Sequence, residues 1–433
     1  MSRIKELLGN KIVSNASWLI GCKVAKAVLA LVVTMLTARY LGPSNFGLIN
    51  YAASIVLFVV PIAQLGLRNV QVNEIINRED QEGAIIGTSV FLSFLSSIIC
   101  IFGIGAFVYF VNAGETETLV VCLLYSSLLI FQTGEIIQYW FQAKYIAKYS
   151  AIVSFSAYFL VSVYKIYILA AQKNIYWFAV TYMLDYLLIS VLLLILYHRH
   201  HGKKLTVSWR LGKELLAQSK YFIIPELMVS VFSQTDRIML KTMAGNDYTG
   251  FYSAAFTCAS IGNFVFLALI DAMRPSIYEG KKNNEKNYYR HLTQLYSIVI
   301  YFSLFMCLTE SIFSKWIILI AYGENYAPAA SALRIVVWHA TFSYIGTINA
   351  IWFLAEKKQD RLWIINGTGM ILNVIINFVL IPIWGVNGAA IASLATQFFS
   401  NFVMIAMIPE SRPLFHIILQ SCNIKKLLDG LRR

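Results

Sequence analysis

The sequence predicts an all-α integral membrane protein: twelve transmembrane helices in two six-helix bundles, with a pseudo-two-fold axis along the membrane normal. Three observations lead there. Of 433 residues, 58% are hydrophobic and only 13% charged, whereas a globular domain carries about 25% charged residues. Apolar stretches recur along the whole chain, each near the roughly 20 residues that cross a hydrocarbon core of about 30 Å. These stretches are long and unbroken, unlike the short alternating segments of a membrane barrel.

In chain order, spans are expected over 12–39, 45–69, 84–111, 117–142, 149–171, 175–198, 219–243, 248–274, 292–321, 328–354, 362–384 and 388–408. The first follows a polar, basic start and is too long for a cleaved signal peptide, so it is expected to be retained. The connections alternate in charge. Arg3, Lys5, Lys11, Arg78, Lys144, Lys148, the stretch from Arg199 to Lys220, that from Lys281 to Arg290, Lys357, Lys358 and Arg361 share one side; Lys173 stands nearly alone on the other. The positive-inside rule places the basic side and both termini in the cytoplasm. It also accounts for the net charge of +13 without nucleic acid as a partner.

The basic connection 201–218 separates an N-terminal bundle (1–200) from a C-terminal bundle (219–408). Both bundles start on the same side, so any symmetry between them is parallel. A faint repeat supports this: Arg39, Gly42, Gly47 and Ala52-Ala53 are echoed by Lys241, Gly245, Gly250 and Ala254-Ala255. Gly42, Gly47, Gly245 and Gly250 are expected to form tight turns and hinges where helices approach closely. Gly385-Val-Asn-Gly388 opens the last span, and Pro382 ends or kinks the one before it. The tail, 409–433, is basic. Leu414, Ile417, Ile418, Ile424, Leu427, Leu428 and Leu431 fall near helical spacing there, which predicts an amphipathic helix on the anionic cytoplasmic leaflet.

Charge inside the spans is the sharpest signal. Lys23 and Lys26 share a helix face at spacing i, i+3, and a charge at mid-bilayer costs roughly 2.5–3.5 kcal/mol. Their face should therefore meet water, a partner or an anionic ligand. Arg237, Arg334 and, nearer a cytoplasmic end, Arg274 could join them on an anionic group such as pyrophosphate. Asp185, Lys165, Asp236, Glu226 and Glu310 suit ion coupling or charge pairing, with Lys165 and Asp185 a candidate ion pair. Glu135 and Asp271 lie toward the cytoplasmic ends. Arg68 and Lys315 read as snorkelling to an interface. The abundant tyrosines can stack on sugar rings.

Signatures of chemistry are missing. Walker and dinucleotide fingerprints are absent. The six cysteines stand apart without a CxxC and read as small hydrophobes, so neither metal nor disulfide frame is expected. His198-Arg-His-His201 sits at a basic helix end and reads as an interfacial patch. The chain is not expected to be an enzyme or to need a cofactor.

Three stretches resemble a known family: Ala38-Arg-Tyr-Leu-Gly-Pro-Ser-Asn-Phe-Gly47 with Gln64-Leu-Gly-Leu67; Thr235-Asp-Arg-Ile-Met-Leu240 with Gly250-Phe-Tyr-Ser-Ala-Ala255; and Asn373, Asn377 and Pro382 running into Gly385-Val-Asn-Gly-Ala-Ala-Ile-Ala392. They are similar to bacterial polysaccharide-biosynthesis membrane proteins. These are the oligosaccharide-lipid (O-antigen-type) flippases of the MOP superfamily, shared with MATE multidrug exporters and the lipid II flippase. The resemblance implies two bundles around a cavity open alternately to each side of the bacterial inner membrane. It implies transfer of an undecaprenyl-pyrophosphate-linked oligosaccharide, with Lys23, Lys26 and Arg274 as the nearest head-group contacts. A monomer beside polysaccharide polymerase and glycosyltransferases, in contact with membrane lipid, is the implied setting. The alternative is a cation-coupled multidrug exporter, whose cavity should be acidic.

Overall fold

A computed structural model describes the chain over residues 11–422, with side chains from Gly21 onward and that of Trp18. The part of the tail beyond Cys422, including Ile424, Leu427, Leu428 and Leu431, lies outside the described residues, as do Arg3 and Lys5. Among the described residues every regular element is helical.

The chain forms two compact units. One comprises the chain up to Leu41 together with Leu48–Ser230; the other comprises Gly42–Gly47 and everything from Val231 onward. In order, the main helices are α1 (Lys11–Ala63), α2 (Arg68–Asn77), α3 (Glu82–Val111), α4 (the broken span Thr116–Ala143), α5 (Lys148–Ala170), α6 (Ile175–Arg199), α7 (Trp209–Met243), α8 (Asn246–Ala259), α9 (Asn263–Asn283), α10 (Glu285–Tyr322), α11 (Ala329–Ala355), α12 (Arg361–Phe398) and α13 (Arg412–Ser421). Helices α1 and α12 are each two spans joined across a non-helical glycine, Gly42 and Gly385. Among the described residues, counting α8 with α9 as one bent span and each limb of α1 and α12 as one, six helical spans precede the basic connection and six follow it, twelve in all.

Several boundaries differ from those expected. Helix α7 begins at Trp209, ahead of Ser219, because the basic stretch before it is docked rather than free. Tyr197 donates to the Lys203 carbonyl at 2.6 Å, and the Thr206 amide donates to the Gly83 carbonyl at 3.3 Å. Lys144 pairs with Glu79 and Glu82, and Arg78 with Glu74 and Glu214, around the same edge. The single span expected over 248–274 bends by 44° between α8 and α9. Pro382 stays within α12, and the break comes at Gly385.

In the first unit Leu67, Ile85, Ile86, Ala157, Ile189, Leu193 and Leu215 pack around Trp140, whose ring meets Phe141 and Tyr197 edge-on. In the second, Asp236 of α7 is buried and accepts from four side chains. Tyr252 donates at 2.6 Å, Asn373 at 3.1 Å, Asn377 at 2.7 Å, and Ser393 also donates. These donors come from α8 and from both limbs of α12, so one carboxylate ties three helices where water is scarce. The face of α13 formed by Leu414, Ile417 and Ile418 joins a core with Leu292, Tyr296 and Trp352. Ser421 donates to the Thr293 carbonyl at 3.2 Å. That apolar face, expected on lipid, is taken up by protein.

The repeated glycines meet within the second unit. Gly42 (φ 71°) and Gly245 (φ 103°) both adopt the left-handed region that a side chain disfavours. Five residues on, a Cβ at Gly47 would strike the Asn246 carbonyl, and one at Gly250 would strike the Pro43 carbonyl. The two turns thus pack backbone against backbone, with Phe46 against the rings of Tyr322 and Tyr326.

Two outcomes follow. Gly47→Ala and Gly250→Ala should each destabilise the protein by roughly 1–3 kcal/mol through overpacking, read as a lower Tm in detergent, whereas Gly103→Ala, whose Cβ meets open space, should leave Tm unchanged. Asp236→Leu should cost more than Asp236→Asn, since each interhelical hydrogen bond contributes about 0.6–2 kcal/mol and asparagine keeps an acceptor; equal Tm values would remove Asp236 as the tie.

Candidate functional site

A cavity of about 670 Å³ lies in the first unit, within the roughly 300–1,000 Å³ common for ligand sites. Helix α1 supplies Cys22, Lys23 and Lys26 from its first limb and Val60 from its second, and Gln64 follows just past its end. Between α1 and α2 the chain turns through Leu65 (φ 54°) and Gly66 (φ 61°). That turn carries Arg68, Asn69 and Val72 onto the same wall. Arg68, expected to snorkel to an interface, therefore faces the cavity.

The facing wall comes from α4. A 3₁₀ segment, Thr133–Ile137, interrupts the α-helix there. Residues three apart eclipse one another in this geometry, so Gln132, Glu135 and Gln138 stack into a row. Tyr139 and Gln142 continue it, and Ser150, Ser154 and Phe155 of α5 with Tyr186 of α6 complete the lining.

The electrostatics are lopsided. Lys23, Lys26 and Arg68 contribute three cations against one lining carboxylate, Glu135. Among the described residues none of the three makes an ion pair within 4.0 Å. Lys26 lies 5.0 Å from the centre of the Tyr158 ring, and Glu135 is within Coulombic reach of Lys26, Asp185 and Arg68. Asn69 donates to Glu226 at 2.7 Å, which holds that carboxylate beside the wall and not in it. Uncompensated cations in a partly desolvated hollow attract an anion far more strongly than they would in water. Lysine and arginine also supply charge-assisted donors to phosphate oxygens.

The remaining expected residues are placed elsewhere. Lys165 is buried with its ammonium 4.1 Å from the centre of the Tyr182 ring. It makes no ion pair with Asp185, whose Oδ1 is buried without a hydrogen-bond partner. The pair expected there is replaced by a cation–π contact. In the second unit Arg274 pairs with Asp271, three residues back, at 2.8 Å. Arg237 lies over the Phe256 ring at 4.8 Å and donates to Gln234 at 3.3 Å. Arg334 donates to Ser314 at 2.9 Å. Glu310 borders a small void with Ser303, Cys307 and Tyr344. None of these lines the cavity that holds Lys23 and Lys26. Conversely Arg68, read as snorkelling, and Gln64, Gln132, Gln138, Tyr139 and Gln142, given no place in a site by sequence reasoning, line it. The row Gln132, Glu135, Gln138, Gln142 in an otherwise apolar span is the signal that could have found them.

A family model described as "Polysaccharide biosynthesis protein" matches residues 12–281. An uncharacterized membrane protein of Methanocaldococcus jannaschii is 26% identical over 280 residues, 61% of this chain and 52% of that protein; the match thus spans about half of that relative. Among solved structures, the lipid II flippase MurJ in an inward closed conformation aligns with a TM-score of 0.72 at 13% identity, over 95% of this chain and 93% of that one. An inward-facing multidrug resistance MATE family transporter of the MOP superfamily aligns with a TM-score of 0.71 at 13% identity, over 92% and 96%. At such identity the structures speak for the fold alone. With the family model matching well over half its length, the chain belongs to the polysaccharide biosynthesis protein family, on the membrane fold of the MOP superfamily.

Proposed function

We propose that the protein is a flippase for an undecaprenyl-pyrophosphate-linked oligosaccharide, the repeat unit of an O-antigen, capsule or exopolysaccharide. It moves this lipid from the cytoplasmic to the outer leaflet of the bacterial inner membrane by alternating access, with both termini cytoplasmic. The observation that carries the reading is the cluster of Lys23, Lys26 and Arg68 around one polar hollow, none of them in an ion pair among the described residues. A diphosphate diester brings two negative charges to a wall whose lining charges sum to three minus one. The amides of Gln64, Gln132, Gln138 and Gln142 offer donors and acceptors to sugar hydroxyls, and the rings of Tyr139 and Tyr186 offer stacking faces.

A negative-inside potential favours outward passage of an anionic head group, by roughly 2.3 kcal/mol per charge per 100 mV if the whole field is crossed. Polysaccharide polymerase and glycosyltransferases are the proposed neighbours in assembly, with the flippase itself a monomer. A multidrug exporter would share the fold, but mostly cationic drugs call for an acidic wall, and this one carries a cationic excess.

The test is head-group exposure of a lipid-linked oligosaccharide in proteoliposomes. Lys23→Gln, Lys26→Gln and Arg68→Gln should each slow it by about tenfold or more, since a hydrogen bond to a charged group contributes roughly 1.5–3 kcal/mol. Arg274→Gln, outside the cavity, should change the rate less than about twofold. Wild-type rates in all three cavity variants at equal protein levels would overturn the proposal.

A further inference from the structure

A second hollow, of about 400 Å³, adjoins the cationic one and has the opposite character. Its walls are Trp18, Gly21, Cys22 and Ala25 of α1 with Ile152 and Phe155 of α5. Cys22 and Phe155 also line the cationic cavity. The sequence explains the division. At helical spacing, positions 18, 21, 22 and 25 share one side of α1, while 22, 23 and 26 turn toward the cavity. Gly21 and Ala25 carry almost no side chain, and a Cβ added at Gly21 meets nothing within 4 Å. The space between α1 and α5 is therefore left open by small residues, not closed by packing.

A charged compartment and an apolar compartment that share two wall residues fit one molecule with an anionic head joined directly to a long apolar tail. A soluble anion would leave the apolar hollow empty, and a neutral lipid would leave the cations unpaired. We propose, resting on the flippase reading, that the prenyl chain of the substrate leaves the cavity sideways between α1 and α5. It passes Cys22 and Phe155 and lies over Gly21 and Ala25 while the diphosphate meets Lys23 and Lys26. The tail would then remain inside one unit throughout, held by the same helix that holds the head group.

Cys22 is a natural reporter at the junction. It is partly exposed, four of the other cysteines are buried, and the exposed Cys422 can be removed as Cys422→Ser. In that background the rate of maleimide addition to Cys22 is measured in detergent with undecaprenyl diphosphate, inorganic diphosphate or phosphatidylglycerol. Calorimetry of inorganic diphosphate reports the head-group site separately. At about ten times its Kd, undecaprenyl diphosphate should slow alkylation about tenfold, because only unoccupied protein reacts, and phosphatidylglycerol should slow it far less. Gly21→Leu and Ala25→Leu, which fill the hollow, should abolish this protection while inorganic diphosphate still binds. Persistent protection in the leucine variants would place the tail elsewhere and overturn the inference, leaving the flippase reading intact. Equal protection by phosphatidylglycerol would overturn it in favour of a general acyl-chain groove. Failure of both undecaprenyl diphosphate and inorganic diphosphate to bind would overturn the flippase reading and this inference together.

Discussion

Positive charge held within a membrane span governs this molecule. An ammonium at mid-bilayer costs a few kcal/mol, and a chain that keeps Lys23, Lys26 and Arg68 must give them water or an anion. The first unit gives them a hollow. Two limbs of α1, the left-handed turn at Leu65-Gly66, and the row on α4 converge so that all three cations look into one space. The carboxylate of Glu226 accepts from Asn69 and stands outside the lining.

The second unit solves the same problem in the opposite way. Its buried Asp236 accepts from donors on α8 and α12, and Arg237 rests against Phe256. Charge in this unit holds helices together, whereas in the first it is left available. The glycine turns serve the same close packing. Gly47 and Gly250 let two backbones touch, and nothing larger fits.

Much of this was legible in the sequence. Length and hydropathy of the stretches marked out the helices, and the spacing of Lys23 and Lys26 marked their face as one that lipid would not cover. The glycine echo was legible because a positive φ leaves few substitutes. Arg68 was not, since a cation at a span's end normally snorkels; only the turn at Leu65-Gly66 sends it inward. The polar row of α4, Gln132, Glu135, Gln138 and Gln142, stands out in an apolar span, but such a row does not by itself say whether it faces a cavity or a neighbouring helix. Arg274 looked like a head-group ligand by its place in the chain, yet Asp271 three residues away takes its charge. The apolar stripe of α13 was visible, but a stripe does not say whether lipid or protein covers it.

The proposed role rests on the three cations acting together on a diphosphate. Calorimetric titration of undecaprenyl diphosphate into the purified protein tests this most directly, comparing wild type with a variant carrying Lys23→Gln, Lys26→Gln and Arg68→Gln. The account predicts that the triple variant binds at least about a hundredfold more weakly, since removing each charge-assisted hydrogen bond costs roughly 1.5 kcal/mol or more, with its Tm unchanged. Equal affinity in the two proteins would contradict it.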